Sequence, residues 1–576
     1  MITAIELENF KGFGARQRIE LGPLTLLFGA NSAGKSSVLQ SLLYLAELVE
    51  GNSADIDRTQ LGGETIALGG FARVVHRHEA ERTICLRAEF TTPQGLNRFA
   101  RAIENFPFPD IEDEVSSAWI ELYIRHRTMP GFTGPVVERV VVGVNGEAEP
   151  LVWLEVGASL HENEPLRARI NLGHPVVATE RREVVGVSPP LYAQHAPADV
   201  VADWESIALF EPPPNQDTGS NSRSGSRDRS ASGSRSGSKT RSASRVGTEG
   251  DGSRDGTGSG SNDGSGVGDG SRLGDGLGFG DGRSLPVFAL ARSRNTALPP
   301  YSEPLRVIAH GDDSPEAQRV AEQVRTFLEM IVLGTTAQLA AWLRDSVHIG
   351  ALRAIPSIGD LYERPSTNRS WGDGIAAWQQ VLTNRETLPA DVNRWLERLG
   401  ANCQLRVRSQ FESNSNDTKA IATRIHTLRL ETSQRTSALP SELGAGISQV
   451  LPVIVAALRQ KPGVLSIEQP ELHVHPALQV GLGDLFIEAA TMPKARRCLM
   501  IETHSEHIIL RLLRRIRDTA NGEGTGPKLL PEQLTVLHIS NDGDQCVVRR
   551  FHVDRNGDFD RPWPNGFFEE RTAEVF

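Results

Sequence analysis

Residues 29–36 read Gly-Ala-Asn-Ser-Ala-Gly-Lys-Ser, inside the longer run PLTLLFGANSAGKSSVLQSLLYL. Each residue type in that spacing has a role in one geometry. Glycines at Gly29 and Gly34 let the backbone N–H groups of Ala30, Asn31, Ser32 and Ala33 turn inward around phosphate oxygens. Lys35 reaches the β and γ oxygens, and the Ser36 hydroxyl is placed to ligate Mg²⁺. The flanks suit that geometry, since Leu24 to Phe28 is a short apolar strand candidate and Ser37 to Leu48 repeats Leu and Val at helical spacing. The loop is therefore expected on a helix N-terminus, where exposed N–H groups and the helix dipole favour an anion.

A phosphate loop needs acidic and polar partners from elsewhere in the chain. The segment GVLSIEQPELHVHPALQ, residues 463–479, supplies an apolar strand at Val464 to Ile467 with Glu468 at its carboxyl end, where parallel sheets present ligand groups. A second strand, CLMIETHSEH, ends in Thr503-His504 and runs into the amphipathic helix IILRLLRRI. Upstream of both, ELGAGISQVLPVIVAAL at 442–458 is a glycine-rich turn opening a helix, a second anion-binding terminus.

The rest of the chain bounds the answer. A length of 576 residues implies two or more structural units, and a net charge of −11 makes no general electrostatic case for nucleic acid. Four cysteines are scattered without C-x-x-C spacing, as in a reduced protein. No apolar run reaches the roughly 18 residues of a membrane span, and MITAIELENF alternates like a strand, so a cytoplasmic location without membrane contact is expected. Thr83–Thr91, Ala118–His126 and Val136–Val144 read as strands, whereas 314–345 and 375–399 read as helical. Residues 215–283 are almost wholly Ser, Gly, Asp and Arg, cannot bury enough apolar surface, and read as a disordered insert. Heptads do not persist, which argues against a long coiled-coil arm.

Taken in order, GANSAGKS, GAGISQ, IEQPELHVHP and ETHSEH resemble the split nucleotide-binding head of ABC/SMC-like ATPases, and most closely the bacterial RecF-like and OLD-like AAA ATPases. IELENFKGFG at 5–14 is similar to the opening strand of that group. VHIGALRAIP and the ending WPNGFFEERTAEVF resemble a subgroup carrying a short C-terminal domain of unknown function. The resemblance implies an α/β P-loop NTPase with a split core, a strand-rich insertion and a helical lid. The implied division is 1–80 for the N-terminal lobe with Walker A, 81–214 for the insertion and 215–283 for the linker. Residues 284–435 form the lid, and 436–576 the C-terminal lobe with signature, Walker B, switch histidine and extension.

The same resemblance assigns Gly29, Gly34, Lys35 and Ser36 to phosphate and Mg²⁺, with Ser37 closing the loop. It assigns Glu468 to the Walker B acid and metal position, and His504 to sensing the γ-phosphate. Gly444, Gly446 and Ser448 form the signature turn, which in the family meets ATP bound by a second subunit, so a homodimer is implied. Two departures matter: Gln469 stands where hydrolysing members carry a glutamate, and GAGISQ differs from the common Ser-Gly-Gly-Gln. An amide cannot accept a proton, so general-base help worth about 10²–10⁴ in rate is missing unless Glu471 or Glu502 substitutes.

Two functions follow. One is an ATPase working with DNA or a partner in DNA metabolism or anti-phage defence; the other is a nucleotide-gated switch, hydrolysing little, that controls a separately encoded effector such as a nuclease. An intrinsic nuclease is not expected, since Asp542 and Asp544 read as a hairpin turn. Four features carry competing readings. His473-x-His475 and His504-x-x-His507 lack a third zinc ligand at set spacing. Arg514, Arg515 and Arg517 read as either a phosphate contact or a solvated helix face. Lys11 reads as a nucleotide contact or a plain strand residue, and Arg353 as a lid or phosphate contact.

Overall fold

A computed structural model describes residues 1–51, 68–93, 95–96, 115–129, 132–157, 165–177, 287–291, 296–308, 314–357, 371–412, 423–432, 436–442, 445–493 and 497–563. The segment 215–283 lies outside them, as do Gly444 and residues 564–576. Residues 1–210 and 285–576 fall into one structural unit.

The chain opens with β1 (Ile2–Glu8), β2 (Gln17–Glu20), β3 (Leu24–Gly29), α1 (Lys35–Gly51) and the short α2 (Phe71–Val74). Then come β4 (Ile84–Thr91), β5 (Ser117–Met129), β6 (Phe132–Val144), β7 (Val152–Glu155), β8 (Leu166–Ile170), β9 (Val287–Leu290) and β10 (Val307–Ile308). Next are α3 (Pro315–Leu328), a π-helical turn at Glu329–Leu333, α4 (Gly334–Leu343), β11 (Val347–Ile349), α5 (Ile375–Thr383) and α6 (Leu388–Arg398). The last stretch holds β12 (Cys403–Glu412), β13 (Thr423–Thr432), β14 (Ser437–Ala438), α7 (Ala445–Leu458), β15 (Gly463–Glu468), α8 (Pro476–Thr491), β16 (Arg497–Glu502), α9 (Glu506–Asn521), β17 (Leu534–Asp542) and β18 (Gln545–Phe551).

The central sheet runs β11-β15-β16-β3-β17-β18, parallel except for the closing β17–β18 hairpin. Its strands are apolar on both faces because both are covered. Leu24, Leu26 and Phe28 of β3 join Leu465, Ile467, Leu499 and Ile501 in one core, against α5 to α9. Leu27 turns the other way and joins Val464, Met500 and α1 in a second core. That alternation fastens the beginning of the chain into its last quarter. Trp563 adds a further tie, meeting Phe28 edge-on at 5.3 Å and packing on Phe559 at 5.1 Å.

The second sheet is antiparallel throughout, in the order β10-β9-β8-β7-β6-β5-β4-β1-β2. Strands of the 81–214 region thus extend the sheet begun by β1 and β2. The 284–435 region is shared out similarly: β9 and β10 join this sheet, β11 joins the central one, and β12–β14 make a small third sheet. The run Pro315–Leu343 is long and apolar enough to cross a membrane, contrary to the reading of the sequence. Its apolar window is 83% buried within the fold, as a core element. Ser314 starts it, its hydroxyl accepting from Ala317 N at 3.2 Å with Pro315 in the first turn.

Candidate nucleotide site

Parallel register aligns the functional strand ends. Glu468 pairs with Glu502, Glu502 with Leu27, and Ile539 with Gly29, so the phosphate loop and both acids open on the same carboxyl edge. The crevice outside such an edge is where open α/β sheets bind ligands. Lys35 Nζ lies 3.7 Å from Glu502 Oε1, and the Ser36 hydroxyl donates to Glu502 Oε2 at 2.8 Å. Residues from opposite ends of the sequence thus share one site. The lysine is buried and also donates to the loop carbonyls of Gly29 and Ala30, at 3.0 and 2.9 Å.

Both loop glycines are required by contact. Gly29 has φ +143°, and a Cβ there would stand 2.0 Å from Ile539 O; Gly34 has φ +101°, and its Cβ would meet Cys546 Sγ at 2.5 Å. Gly29→Ala is expected to cost about 3 kcal/mol or more from strain and overlap together. A lowered melting temperature with loss of binding to immobilised ATP would register it; a variant that melts and binds like the parent would refute the packing argument.

The acids are unequal. Burial, reinforced by the neighbouring Glu502 charge, pushes the Glu468 carboxyl up to about 7. Beside it, on edge strand β11, His348 places Nδ1 3.0 Å from Ser466 Oγ and Nε2 3.8 Å from Glu468 Oε1. Burial holds that ring's pKa down to about 4, so it is neutral at pH 7. The sequence reading missed His348; a histidine inside the apolar VHIG strand was its only signal.

Glu471 is already committed. It accepts from Thr503 Oγ1 at 2.8 Å and from His504 N at 2.7 Å, tying the turn after β15 to the turn after β16. His504 Nε2 is buried with no hydrogen-bond partner among the described residues, and burial followed by the Lys35 charge lowers the ring's pKa. Gln469 has φ +41°, and its N–H donates to Glu502 O at 2.7 Å.

At the N-terminus of α7, a Cβ on Gly446 would lie 3.0 Å from His473 O, so this turn sits directly against the loop after β15. Ser448 points inward, fully buried, and donates to Pro440 O at 3.2 Å. Gly444 lies outside the described residues.

His475 caps α8, its Nδ1 accepting from Ala477 N at 3.2 Å, and no metal-binding group of three or more His, Cys, Asp or Glu occurs among the described residues. The arginine cluster splits: Arg515 joins Arg511 in a half-buried ion-pair cluster on Asp484, whereas Arg514 and Arg517 face outward. Lys11 Nζ bonds the Gln40 side chain; burial lowers its pKa and the Glu468 charge opposes that shift. Arg353 is buried beneath the edge of the site and touches main-chain carbonyls. Asp542 and Asp544 flank the tip of the β17–β18 hairpin.

These groups fit a magnesium nucleotide. The loop is a cradle that a Cβ would fill, a lysine and a hydroxyl lie at its mouth, and an unpartnered imidazole nitrogen stands on the turn after the neighbouring strand. Two adjacent carboxylates leave negative charge suited to a hard cation. Phosphate would be held by Lys35 and the 30–34 amides, and the cation by Ser36 with Glu468.

Two family models match the chain: one described as "AAA domain" over residues 4–74, and one described as "AAA domain, putative AbiEii toxin, Type IV TA system" over residues 286–510. No curated protein matches. Among solved structures, similarity extends to an SMC head bound to the C-winged helix domain of ScpA, at 9% identity and TM-score 0.34, covering 96% of this chain and 98% of that one. The SMC head of Thermotoga maritima gives 8% identity and TM-score 0.32, covering 96% and 99%. That of Pyrococcus furiosus, bound to the C-terminal domain of ScpA, gives 9% and 0.34, covering 96% of each chain. Scores of that size carry no weight; the parallel sheet order and the phosphate loop define a P-loop NTPase fold.

Proposed function

We propose, from this nucleotide-binding fold, that the chain binds ATP with Mg²⁺ and hydrolyses it slowly as a cytoplasmic homodimer. The carrying observation is the convergence of Lys35, Ser36, Glu468 and Glu502 on one sheet edge. Lys35 and the loop amides hold the phosphates, His504 Nε2 offers a polar contact to the terminal one, and Ser36 with Glu468 holds the cation. When bound, Mg²⁺ supplies charge neutralisation at the β and γ oxygens. Closure of two copies would set the α7 N-terminus of each against the nucleotide of the other.

Gln469 makes the chemistry slow in this reading. Of the carboxylates able to substitute as base, Glu471 accepts from Thr503 and His504, and Glu502 from Ser36 beside the phosphate loop. This same observation favours the second reading, a nucleotide-gated switch with little hydrolysis acting on a separately encoded effector such as a nuclease. IEQPELHVHP and ETHSEH support the RecF/OLD-like placement and, with it, work in DNA metabolism or anti-phage defence. The toxin and type IV system named by the second family model agree with defence.

Steady-state ATP turnover, alone and with DNA, tests the proposal beside Gln469→Glu. The variant should gain about 10²-fold in rate. Wild-type turnover at or above about 1 s⁻¹ would rule out slow hydrolysis. Gel filtration with and without ATP checks closure, which the absence of a nucleotide-dependent dimer would disprove.

A further inference from the structure

Arg353 occupies an unusual place. It follows β11, is 4% exposed, and has no carboxylate hydrogen-bonded to its guanidinium among the described residues. Nη1 donates to Gly350 O at 3.1 Å and to Glu468 O at 3.0 Å, while Nη2 donates to Gln469 O at 3.1 Å. Nε is buried with no hydrogen-bond partner among the described residues. Burying a charge this way is costly, so its placement fixes the carbonyls that it holds.

Its main chain is held from the other side. Gln449 of α7, 6% exposed and next to Ser448, accepts from Arg353 N at 3.3 Å and donates to Arg353 O at 2.6 Å. A single residue is therefore clasped by the helix that begins at the signature turn, and itself clasps the two carbonyls that end the acidic strand. One of those carbonyls belongs to Gln469, whose left-handed backbone persists only while its surroundings fix it.

We infer that Gln449 and Arg353 form a strut passing displacements of α7 to the main chain of Glu468 and Gln469, which makes Arg353 a positioning residue for the chemistry of the bound nucleotide. The inference rests on the nucleotide reading above. Its physical basis is directness: between the helix and the strand end there is one buried side chain at each step and no solvent-exposed link. A helix that moves on meeting a second copy must carry Arg353 with it, and the planar fork holds both carbonyls in one orientation. A lysine, with a single point charge, cannot hold them in that way.

The test uses the full chain, a fluorescent non-hydrolysable ATP analogue for binding, and single-turnover ATP hydrolysis with protein in excess. Arg353→Lys and Gln449→Ala should each bind the analogue about as tightly as wild type yet hydrolyse ATP at least about tenfold more slowly, since misplacement by an ångström costs up to about 10²-fold. Because both act through one path, the double variant should be no slower than the slower single. Unchanged rates, weakened binding with unchanged rate, or multiplied effects would overturn the strut. If Arg353→Lys does not fold, Gln449→Ala alone must show slowed chemistry with intact binding, or the strut is overturned. A wild-type chain that fails to bind the analogue sinks the nucleotide reading and the strut with it; binding with normal variant rates sinks the strut alone.

Discussion

Glu468→Gln is expected to lower ATP turnover about 10²-fold or more while raising the melting temperature of the nucleotide-free protein at pH 8. The two effects have one origin. Burial and the Glu502 charge raise the folded carboxyl from its ordinary 4.5 to about 7. Between those values the folded chain holds a proton that the unfolded chain has released, so stability falls as pH rises through that window. Above it the ionised side chain, 18% exposed, costs about 3 kcal/mol. An isosteric amide never ionises and recovers that cost at pH 8. At pH 5, near the foot of that window, the folded carboxyl is protonated and most of the cost is absent, so the substitution should gain much less. Calorimetry at both pH values decides the matter: an equal gain at pH 5 and pH 8, or no gain at pH 8, would contradict the buried-charge account. A gain clearly larger at pH 8 than at pH 5 would mark the site as function held at the expense of stability.

The second large effect concerns the opposite end of β16. Arg497 is 4% exposed, and burial lowers its pKa to about 10. Its Nε donates to Ala489 O at 3.0 Å, near the end of α8, and its Nη1 to Arg459 O at 2.8 Å and Ala456 O at 3.4 Å. Nη2 bonds Ala457 O. One guanidinium thus caps the last carbonyls of α7 and α8 together, where helix dipoles place negative charge. Arg497→Met fills a similar volume and leaves those carbonyls without donors, at a cost of about 3–5 kcal/mol. Denaturant titration should show a clearly reduced midpoint. A change below about 1 kcal/mol would mean that the carbonyls find other partners.

The cap also bears on the site, because α7 and α8 flank the acidic strand. Loosening their carboxyl ends is a stability effect at the far edge of the sheet, whereas the strut through Arg353 acts at the ligand edge. Rates measured for the two arginines should therefore separate.

The Asp484 cluster is instructive about what residue patterns hide. RLLRRIR reads as a cationic face, yet Arg511 and Arg515 turn inward to one aspartate on the neighbouring helix, at 2.6 and 2.8 Å. Helical periodicity places those residues on a face but says nothing of what the facing helix offers. Arg353 and Arg497 were opaque for a related reason. Their partners are main-chain carbonyls, which leave no trace in residue type. Ser448, assigned to the signature turn by resemblance, bonds inward to Pro440 O for the same cause.

The sequence by itself determined the local chemistry: a glycine-flanked loop that must follow a strand and open a helix, an acid at the end of an apolar run, and the order of those pieces. Those features depend on backbone conformation and periodicity over a few residues, which residue types specify directly. Only the tertiary structure decided which of the acids meet the loop, because that depends on strand order and register. Inserting β16 between β3 and β15 puts Glu502 beside Lys35 and Ser36, with Glu468 one strand further out. The same register turned Glu471 into a brace for the turn after β16 and raised the affinity of Glu468 for its proton, through burial and like charge that no linear spacing encodes.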